Sequence, residues 1–447
     1  MRYLLAFFFF TMYAGDQLGL DISLGPGLSF KNLLLYSMLV GIALNAAVAR
    51  NRAFELPSVL VPFGLLILYA LITWIAVAFV LSNPDYQMKE SFIRLKSSLV
   101  DQYLTLLVFF YGVMHAKDAF WLLRAIIWIA ILGNVVTLID TFNVPNLGLV
   151  DARARDSRFL GFVGEANEYG KFLVLLLPGC VALYFTTTGK VRSLAGIGIL
   201  TTAIALVLTG SRGAYAGLVA GSIFAAFFLR RIISTQMLVR AGFIAVSIFA
   251  FVMAISMMSG YTDVLLERFA RFEGSSHLAT SGRSTIWRNA IEAMIENPLS
   301  FLTGYGFSSY ESSTRFYAAT HNMYLNYLYN LGSIGLILFV SIFGQILGAA
   351  RSVVTYATAG HRPYFVALVF GLFSFLVSLL FSEYHASGYL LWAYLGVVMR
   401  MAMDVRTSDA FGMGEDISHF SAGSPQKRKS QFASAELDTP TLTEHNM

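Results

Sequence analysis

Long apolar segments recur along this chain, and short polar segments separate them. A helix that crosses a bilayer needs about 20 predominantly apolar residues, and windows of that kind predict about twelve spans. The predicted spans cover residues 3–20, 30–48, 56–81, 98–115, 119–141, 168–187, 193–210, 213–229, 239–259, 322–349, 364–382 and 386–403. The pattern therefore predicts an all-α polytopic membrane protein. The first apolar run lacks a small-residue cleavage site, so we expect it to be retained as a span.

Two longer polar segments stand out from this pattern. Residues 260–321 separate the predicted ninth and tenth spans and form the longest loop, in which we expect short helices. Beyond residue 404 the chain is rich in Ser, Thr and charged residues, which is typical of disorder. We therefore predict a transmembrane domain over 1–403 and a disordered cytoplasmic tail over 404–447.

The composition agrees with a membrane protein. The 447 residues are 57% hydrophobic and 13% charged, whereas a soluble domain is about 25% charged. The single cysteine, Cys180, excludes an internal disulfide and a cysteine-based metal cluster. Its apolar surroundings predict a small buried side chain.

Positive residues in short loops predict the orientation of the chain. With a cytoplasmic N-terminus, the cytoplasmic loops and the start of the tail carry Arg50, Arg52, Lys117, Lys190, Arg192, Arg230, Arg231, Arg240, Arg351, Arg362, Arg400 and Arg406. The opposite, periplasmic face also carries basic residues, which are Lys89, Arg94, Lys96, Arg153, Arg155, Arg158, Arg212, Arg268, Arg271, Arg283, Arg288 and Arg315. Basic residues on the periplasmic face are contrary to the general preference of basic residues for cytoplasmic loops. Two explanations stay open: an anionic substrate bound by arginine, or pairing with acidic residues on the same loops.

The segment TGSRGAYAG, residues 209–217, interrupts an otherwise continuous apolar stretch. Gly210 and Gly213 permit a tight turn or a broken helix there, and Arg212 lies at the break. Irregular backbone at membrane depth is tolerated where it is buried in protein or lines a wet cavity. Arg212 is therefore a candidate functional residue; the alternative is an arginine that reaches the lipid headgroups.

The segment SGRSTIWRNAIEAM, residues 281–294, predicts a helix capped by Ser281 or Ser284. Its apolar stripe comprises Trp287, Ala290, Ile291, Met294 and Ile295, and it should lie on the protein or at the membrane interface. Arg283 falls in the first turn, where backbone amides favour anions. Arg283 is either functional or solvated, and for Arg288 we favour the solvated interpretation.

Two segments follow that helix. Pro298 should end it, and Gly304 and Gly306 around Tyr305 predict a tight turn that presents backbone amides or the Tyr305 hydroxyl. In THNMYLNYLYNLGSIGL, residues 320–336, His321 and Asn322 start the next membrane helix. A neutral histidine at that boundary can act as a general base, with Asn322 beside it to hold the ring or a substrate hydroxyl; the alternative is a histidine that only caps a helix.

A metal site is not expected, because the histidines are dispersed and no His, Asp or Glu spacing resembles a known site. SEYHAS, residues 382–387, offers Glu383 and His385 as a weaker second candidate pair.

In order along the chain, SRG at a helix break, GR…W in a long loop, GYG and HNxYLxxLxxxGxxGL resemble the O-antigen ligase family. This family includes O-antigen ligases, related polysaccharide polymerases and protein O-oligosaccharyltransferases. The resemblance implies a glycosyltransferase-C-like membrane enzyme of the bacterial inner membrane. Residues 158–172, RFLGFVGEANEYGKF, resemble the family's stretch before its sixth span. Many members have Asn-Pro where this chain has Glu165-Ala166-Asn167-Glu168.

The resemblance implies a reaction at the periplasmic face that inverts the sugar and needs no metal or cofactor. By this resemblance we expect a glycan on undecaprenyl pyrophosphate as the donor and, as the first of several acceptors, lipid A core. Arg212 and Arg283 then stabilise the pyrophosphate leaving group, and His321 activates or positions the acceptor hydroxyl. Asn322, Tyr305, Arg158 and Arg155 are expected to bind substrate.

Three alternatives share parts of this pattern. A polymerase, with a second lipid-linked glycan as acceptor, and a protein O-oligosaccharyltransferase have the same donor chemistry. A transporter of lipid-linked sugars is an alternative of another class, but the two halves of the chain show no matching broken helices. Membrane lipids are expected partners, and nucleic acid is not.

Overall fold

The computed structural model describes residues 1–20, 22–48, 57–81, 86–113, 115–141, 158–232, 236, 283–312, 316, 319–358, 360–384 and 386–410. Helices dominate these residues. A two-stranded antiparallel hairpin, β1 (Ser23–Gly25) and β2 (Leu28–Ser29), is the exception among them.

The first nine helices are α1 (Arg2–Ala14), α2 (Phe30–Val48), α3 (Leu60–Ile75), α4 (Met88–Leu95), α5 (Asp101–Tyr111), α6 (Ala116–Thr141), α7 (Ala166–Thr186), α8 (Gly189–Thr209) and α9 (Arg212–Leu229). After the gap come α10 (Arg283–Glu296), α11 (Ser300–Thr303), α12 (Ser309–Ser312), α13 (Met323–Tyr356), α14 (Arg362–Ser378) and α15 (Ala386–Ala410). Two π-helical turns, Ala76–Val80 and Lys96–Val100, extend α3 and join α4 to α5.

The prediction of an all-α polytopic membrane protein is confirmed. Seven helices in the described part of the chain are long and apolar enough to cross a membrane, and α1 and α14 are shorter apolar helices. The predicted ninth span, 239–259, lies outside the described residues. The total of about twelve spans therefore stays a prediction.

Several predicted boundaries differ from the structure. The predicted first span is shorter, because α1 ends at Ala14. The predicted fourth span starts earlier, because a π-turn makes α4 and α5 continuous from Met88. The predicted span 322–349 is bent at Gly332, whose φ of 64° and ψ of −168° are not helical. Helix α15 continues to Ala410, and residues 411–447 lie outside the described part.

Helices α7, α14 and α15 lie at the centre of the bundle. Helix α14 packs on α7 and α9, and α15 packs on α5 and α6. Glycine makes the α9–α14 contact possible: a Cβ at Gly217 or Gly221 would collide with the backbone of Ser374. Small residues spaced four apart allow this close approach of helices in a membrane. The contact fixes the start of α9 beside the end of α14.

A buried polar cluster lies near the hairpin, at the start of α5. The Asp101 side chain is fully buried, and it accepts hydrogen bonds from Asn32 at 2.8 Å, Tyr36 at 2.7 Å and Lys96 at 2.8 Å. A cavity of about 330 Å³ opens beside it. The predicted site residues are not among those that line this cavity.

Candidate active site

One end of the bundle brings together segments that are far apart in sequence. The segment before α7, the turn between α8 and α9, the start of α13 and the end of α14 meet there. Arg158 Nε donates to the Thr209 carbonyl oxygen at 2.9 Å, and the Met323 amide donates to the Leu379 carbonyl oxygen at 2.9 Å. The predicted site residues at 158, 212, 283 and 321 all lie at this end.

Arg212 is the first residue of α9, directly after the break predicted from the sequence. Helix α8 ends at Thr209, Gly210 adopts the left-handed conformation with φ 58°, and Ser211 caps α9 by accepting from the Ala214 amide. Only glycine adopts that conformation without strain. The turn therefore places a half-buried guanidinium at the N-terminus of α9, where the backbone amides also attract anions.

Arg283 is the first residue of α10 and is likewise half-buried. Burial lowers its pKa, the positive charges of Arg212 and Arg158 lower it further, and Glu165 opposes them. Because the charges of Arg212 and Arg158 affect the pKa of Arg283, the three guanidinium groups lie close enough to interact electrostatically. An arginine remains protonated despite such a shift. The arrangement concentrates positive charge beside the Glu165 carboxylate.

His321 lies beside this arginine cluster. Burial lowers the pKa of the imidazole, and the charges of Arg283 and Lys171 lower it further, while Glu165 raises it. The ring is therefore neutral at neutral pH, which is the form that accepts a proton. Its backbone is in the left-handed conformation, with φ 50°, which is uncommon for a residue other than glycine.

A carboxylate holds that backbone conformation. The His321 amide donates to Glu383 Oε1 at 3.1 Å, and the Thr320 hydroxyl donates to the same oxygen. On the other side, Trp287 Nε1 of α10 donates to the Thr320 carbonyl oxygen at 2.8 Å. The loop before α13 is thus tied to two other parts of the site.

The remaining predicted residues have other surroundings. Asn322 caps α13, because its Oδ1 accepts from the Leu325 amide at 3.1 Å. Tyr305 lies in an aromatic cluster, stacked on Tyr329 at 4.6 Å between ring centroids, and its hydroxyl donates to the Ala293 carbonyl oxygen at 2.5 Å. Arg155 and His385 lie outside the described residues.

A buried ion pair beneath the site was not among the residues singled out from the sequence. Lys171 and Glu168 lie one turn apart on α7, with Nζ and Oε1 3.2 Å apart. Lys171 also donates to the Glu383 carbonyl oxygen, and Glu168 accepts from the Ser387 amide at 2.9 Å. The available signal was a lysine inside a predicted span, since an ionisable residue there is a functional candidate by default.

The site therefore combines three arginines, a neutral histidine and a buried network that positions the histidine. Fixed guanidinium groups bind phosphate oxygens and stabilise negative charge that develops in a reaction. A neutral imidazole beside them can take a proton from a hydroxyl group. In the part of the chain that is described, no three His, Cys, Asp or Glu side chains converge as metal ligands.

Residues 197–340 match the O-antigen ligase family model, Wzy_C. The match contains Arg212, Arg283, Tyr305, His321 and Asn322. The match supports membership in the O-antigen ligase family. No curated protein matches it.

The family match indicates a glycosyltransferase-type enzyme that acts on lipid-linked glycans. An enzyme that acts on lipid-linked glycans is consistent with the apolar helices of a multi-pass membrane protein. The matched region runs from α8 to α13, so it covers the helix break at Gly210 and the loop before α13. Arg158, Lys171 and Glu383 lie outside the matched residues, yet they contact this same end of the bundle.

Proposed function

We propose that this protein transfers O-antigen-type polysaccharide from undecaprenyl pyrophosphate to a hydroxyl group of lipid A core, at the periplasmic face of the bacterial inner membrane. The observation that carries the proposal is the meeting of Arg158, Arg212 and Arg283 with His321 at one end of a membrane bundle. The family match supports glycan transfer as the class of reaction. The arginines suit stabilisation of the leaving group, and His321 suits proton transfer from the acceptor hydroxyl.

In the proposed reaction, the acceptor oxygen forms a bond to the anomeric carbon of the donor sugar. The bond from that carbon to the pyrophosphate oxygen breaks, and its electron pair leaves with the pyrophosphate. His321 takes the proton of the acceptor hydroxyl. Arg212 and Arg283 stabilise the charge that develops on the leaving group. Attack opposite the leaving group inverts the anomeric carbon, and no metal takes part in these steps.

The placement at the periplasmic face rests on the charges at the two ends of the bundle. The end opposite the site carries several basic side chains, among them Arg2, Arg124, Arg192, Arg230, Arg351 and Arg400. Basic residues favour the cytoplasmic side. This preference supports the proposal that the site end is periplasmic, where the proposed anionic donor accounts for the basic residues of the site itself.

The test is made in a strain that lacks the gene and expresses either the unaltered protein, His321→Ala or Arg212→Ala. Surface polysaccharide is separated on gels, and expression of each variant is checked. We expect full-length polymer to remain on its lipid carrier, unattached to the core, in both variants. Single repeats attached to the core would identify a polymerase instead. Normal attached polysaccharide from both variants would contradict the mechanism and favour a transporter.

A further inference from the structure

The segment that follows α10 does not project away from the bundle. Gly306 packs so closely on α3 that a Cβ there would contact the Thr73 carbonyl oxygen and the Val77 side chain. Tyr69 Oη donates to the Thr303 carbonyl oxygen at 2.9 Å. Residues 299–306 therefore lie along α3 rather than above its end.

The position of this contact along α3 indicates how deep in the membrane it lies. The apolar helix continues through its π-turn to Val80, seven residues beyond Thr73, which corresponds to about 10 Å at 1.5 Å per residue. Exposed apolar side chains line α3 and its π-turn; they are Val61, Leu65, Leu68, Ile72, Ile75 and Phe79. In a membrane protein such a stripe faces lipid. The segment thus packs at a level where we expect the exposed face of α3 to contact acyl chains.

The surface of the segment is itself apolar. Leu299 is 66% exposed and Leu302 is 51% exposed. On α10, Ala290, Ala293 and Met294 are buried, whereas Ile291 and Ile295 are exposed. Within the predicted stripe, Ala290 and Met294 therefore face the protein, whereas Ile291 and Ile295 face outward. Those two isoleucines, one turn apart, extend the exposed apolar surface of Leu299 and Leu302.

Backbone polar groups at membrane depth need hydrogen-bond partners within the protein, and the backbone amides of this segment have them. Each amide from residue 300 to residue 306 donates a hydrogen bond within the protein. The Tyr305 and Gly306 amides donate to the carbonyl oxygens of Tyr329 and Asn330, at 2.9 Å each, in the last turn before the bend of α13 at Gly332. Irregular backbone within the hydrocarbon is tolerated when it is satisfied in this way.

We propose that residues 299–306 form a re-entrant segment embedded in the membrane leaflet at the site end, with Leu299 and Leu302 in contact with acyl chains. Ile291 and Ile295 continue this lipid-facing surface onto α10. Helix α10 then lies at the interface, and its Glu292 and Glu296, on the neighbouring exposed flank, face water. This inference does not depend on the proposed transfer reaction.

The test measures collision of a nitroxide spin label with oxygen, which partitions into lipid, and with a water-soluble nickel chelate. The full-length protein carries Cys180→Ala, since this buried residue is its single cysteine. Single labels are placed at Leu299→Cys and Leu302→Cys in vesicles of phosphatidylethanolamine and phosphatidylglycerol. Ile72→Cys is the matched lipid control, and Glu296→Cys is the matched water control.

We expect the ratio of oxygen to nickel collisions at positions 299 and 302 to be several-fold above that at position 296 and close to that at position 72. A ratio at 299 and 302 equal to that at 296 would overturn the proposal, because the segment would then lie in water. Weak collision with both reagents would also overturn it, because protein would then cover the surface.

Discussion

The backbone amide of His321 donates a hydrogen bond to the side chain of Glu383, with N and Oε1 3.1 Å apart. The two residues lie in different loops, 62 positions apart in the chain. The bond stabilises a left-handed conformation that is uncommon for residues other than glycine. The Glu383 carboxylate thus positions the imidazole through the backbone and does not need to touch the substrate.

Substitution of Glu383 should therefore affect turnover more than donor binding. A hydrogen bond to a charged group contributes about 1.5–3 kcal/mol, so Glu383→Ala should lower kcat by about 10–100-fold. The KM for the donor should change little. Glu383→Gln keeps an oxygen that accepts from the His321 amide and the Thr320 hydroxyl, and it should restore most of the rate. Equal loss in both variants, or a change confined to KM, would argue against positioning.

The pH dependence of the transfer rate should reflect protonation of the His321 imidazole. Because the folded-state pKa of this histidine lies below its ordinary value of 6.5, the neutral form persists to lower pH than in a free histidine. The rate should therefore fall, as the solution is acidified, at a lower pH than an ordinary histidine would give. His361, a histidine at the opposite end whose pKa is also lowered by burial, is the control. His361→Ala should keep the profile, and a rate that falls as pH rises from 6.5 to 7.5 would contradict the base role.

The bend in α13 should be sensitive to one added methyl group. Gly332 has a positive φ of 64°, and a Cβ there would collide with the Leu302 carbonyl group. Gly332→Ala should destabilise the protein by more than about 1–3 kcal/mol, the usual cost of such backbone strain. In the same helix, a Cβ at Gly344 meets nothing within 4 Å, so Gly344→Ala should change stability by no more than about 1 kcal/mol. Thermal unfolding in detergent compares the two, and equal Tm values would contradict the bend.

The buried Asp101 should depend on its lysine partner. Lys96 donates to this carboxylate at 2.8 Å, and Lys96→Met leaves a buried charge without its counter-charge. The expected loss of stability is about 3–5 kcal/mol. Lys31→Met is the matched control, because Lys31 pairs with the exposed Asp16 and such pairs contribute about 0–1 kcal/mol. A similar Tm for both variants would show that the hydrogen bonds from Asn32 and Tyr36 are enough to stabilise the buried Asp101 carboxylate without Lys96.

The sequence predicted features that depend on local pattern. Apolar windows found the helices because lipid demands long apolar segments. The glycines at 210 and 213 predicted the break before Arg212, and the turn at Gly304 and Gly306 was predicted in the same way. These features need only the residue types in a short window.

Features that depend on distant contacts were not predicted. Glu383 reaches His321 and Lys171 reaches Glu383 only after the bundle has assembled, and no short motif encodes that meeting. The bend at Gly332 was missed because an isolated glycine in an apolar helix is also compatible with a straight span. For the stripe that includes Ile291 and Ile295, the sequence left packing on the protein and a place at the membrane interface both open, since amphipathic periodicity does not distinguish lipid from a protein core.

The most direct test of the central claim is transfer by purified protein in vesicles. The donor is a labelled glycan on undecaprenyl pyrophosphate, and the acceptor is lipid A core. His321→Ala should slow transfer by about 100-fold or more, as loss of a general base does, and Arg212→Ala by about 100–1,000-fold, as loss of a group that stabilises developing charge does. The matched controls at the opposite end, His361→Ala and Arg230→Ala, should transfer at the unaltered rate. Unaltered transfer by His321→Ala and Arg212→Ala would contradict the assignment of this site.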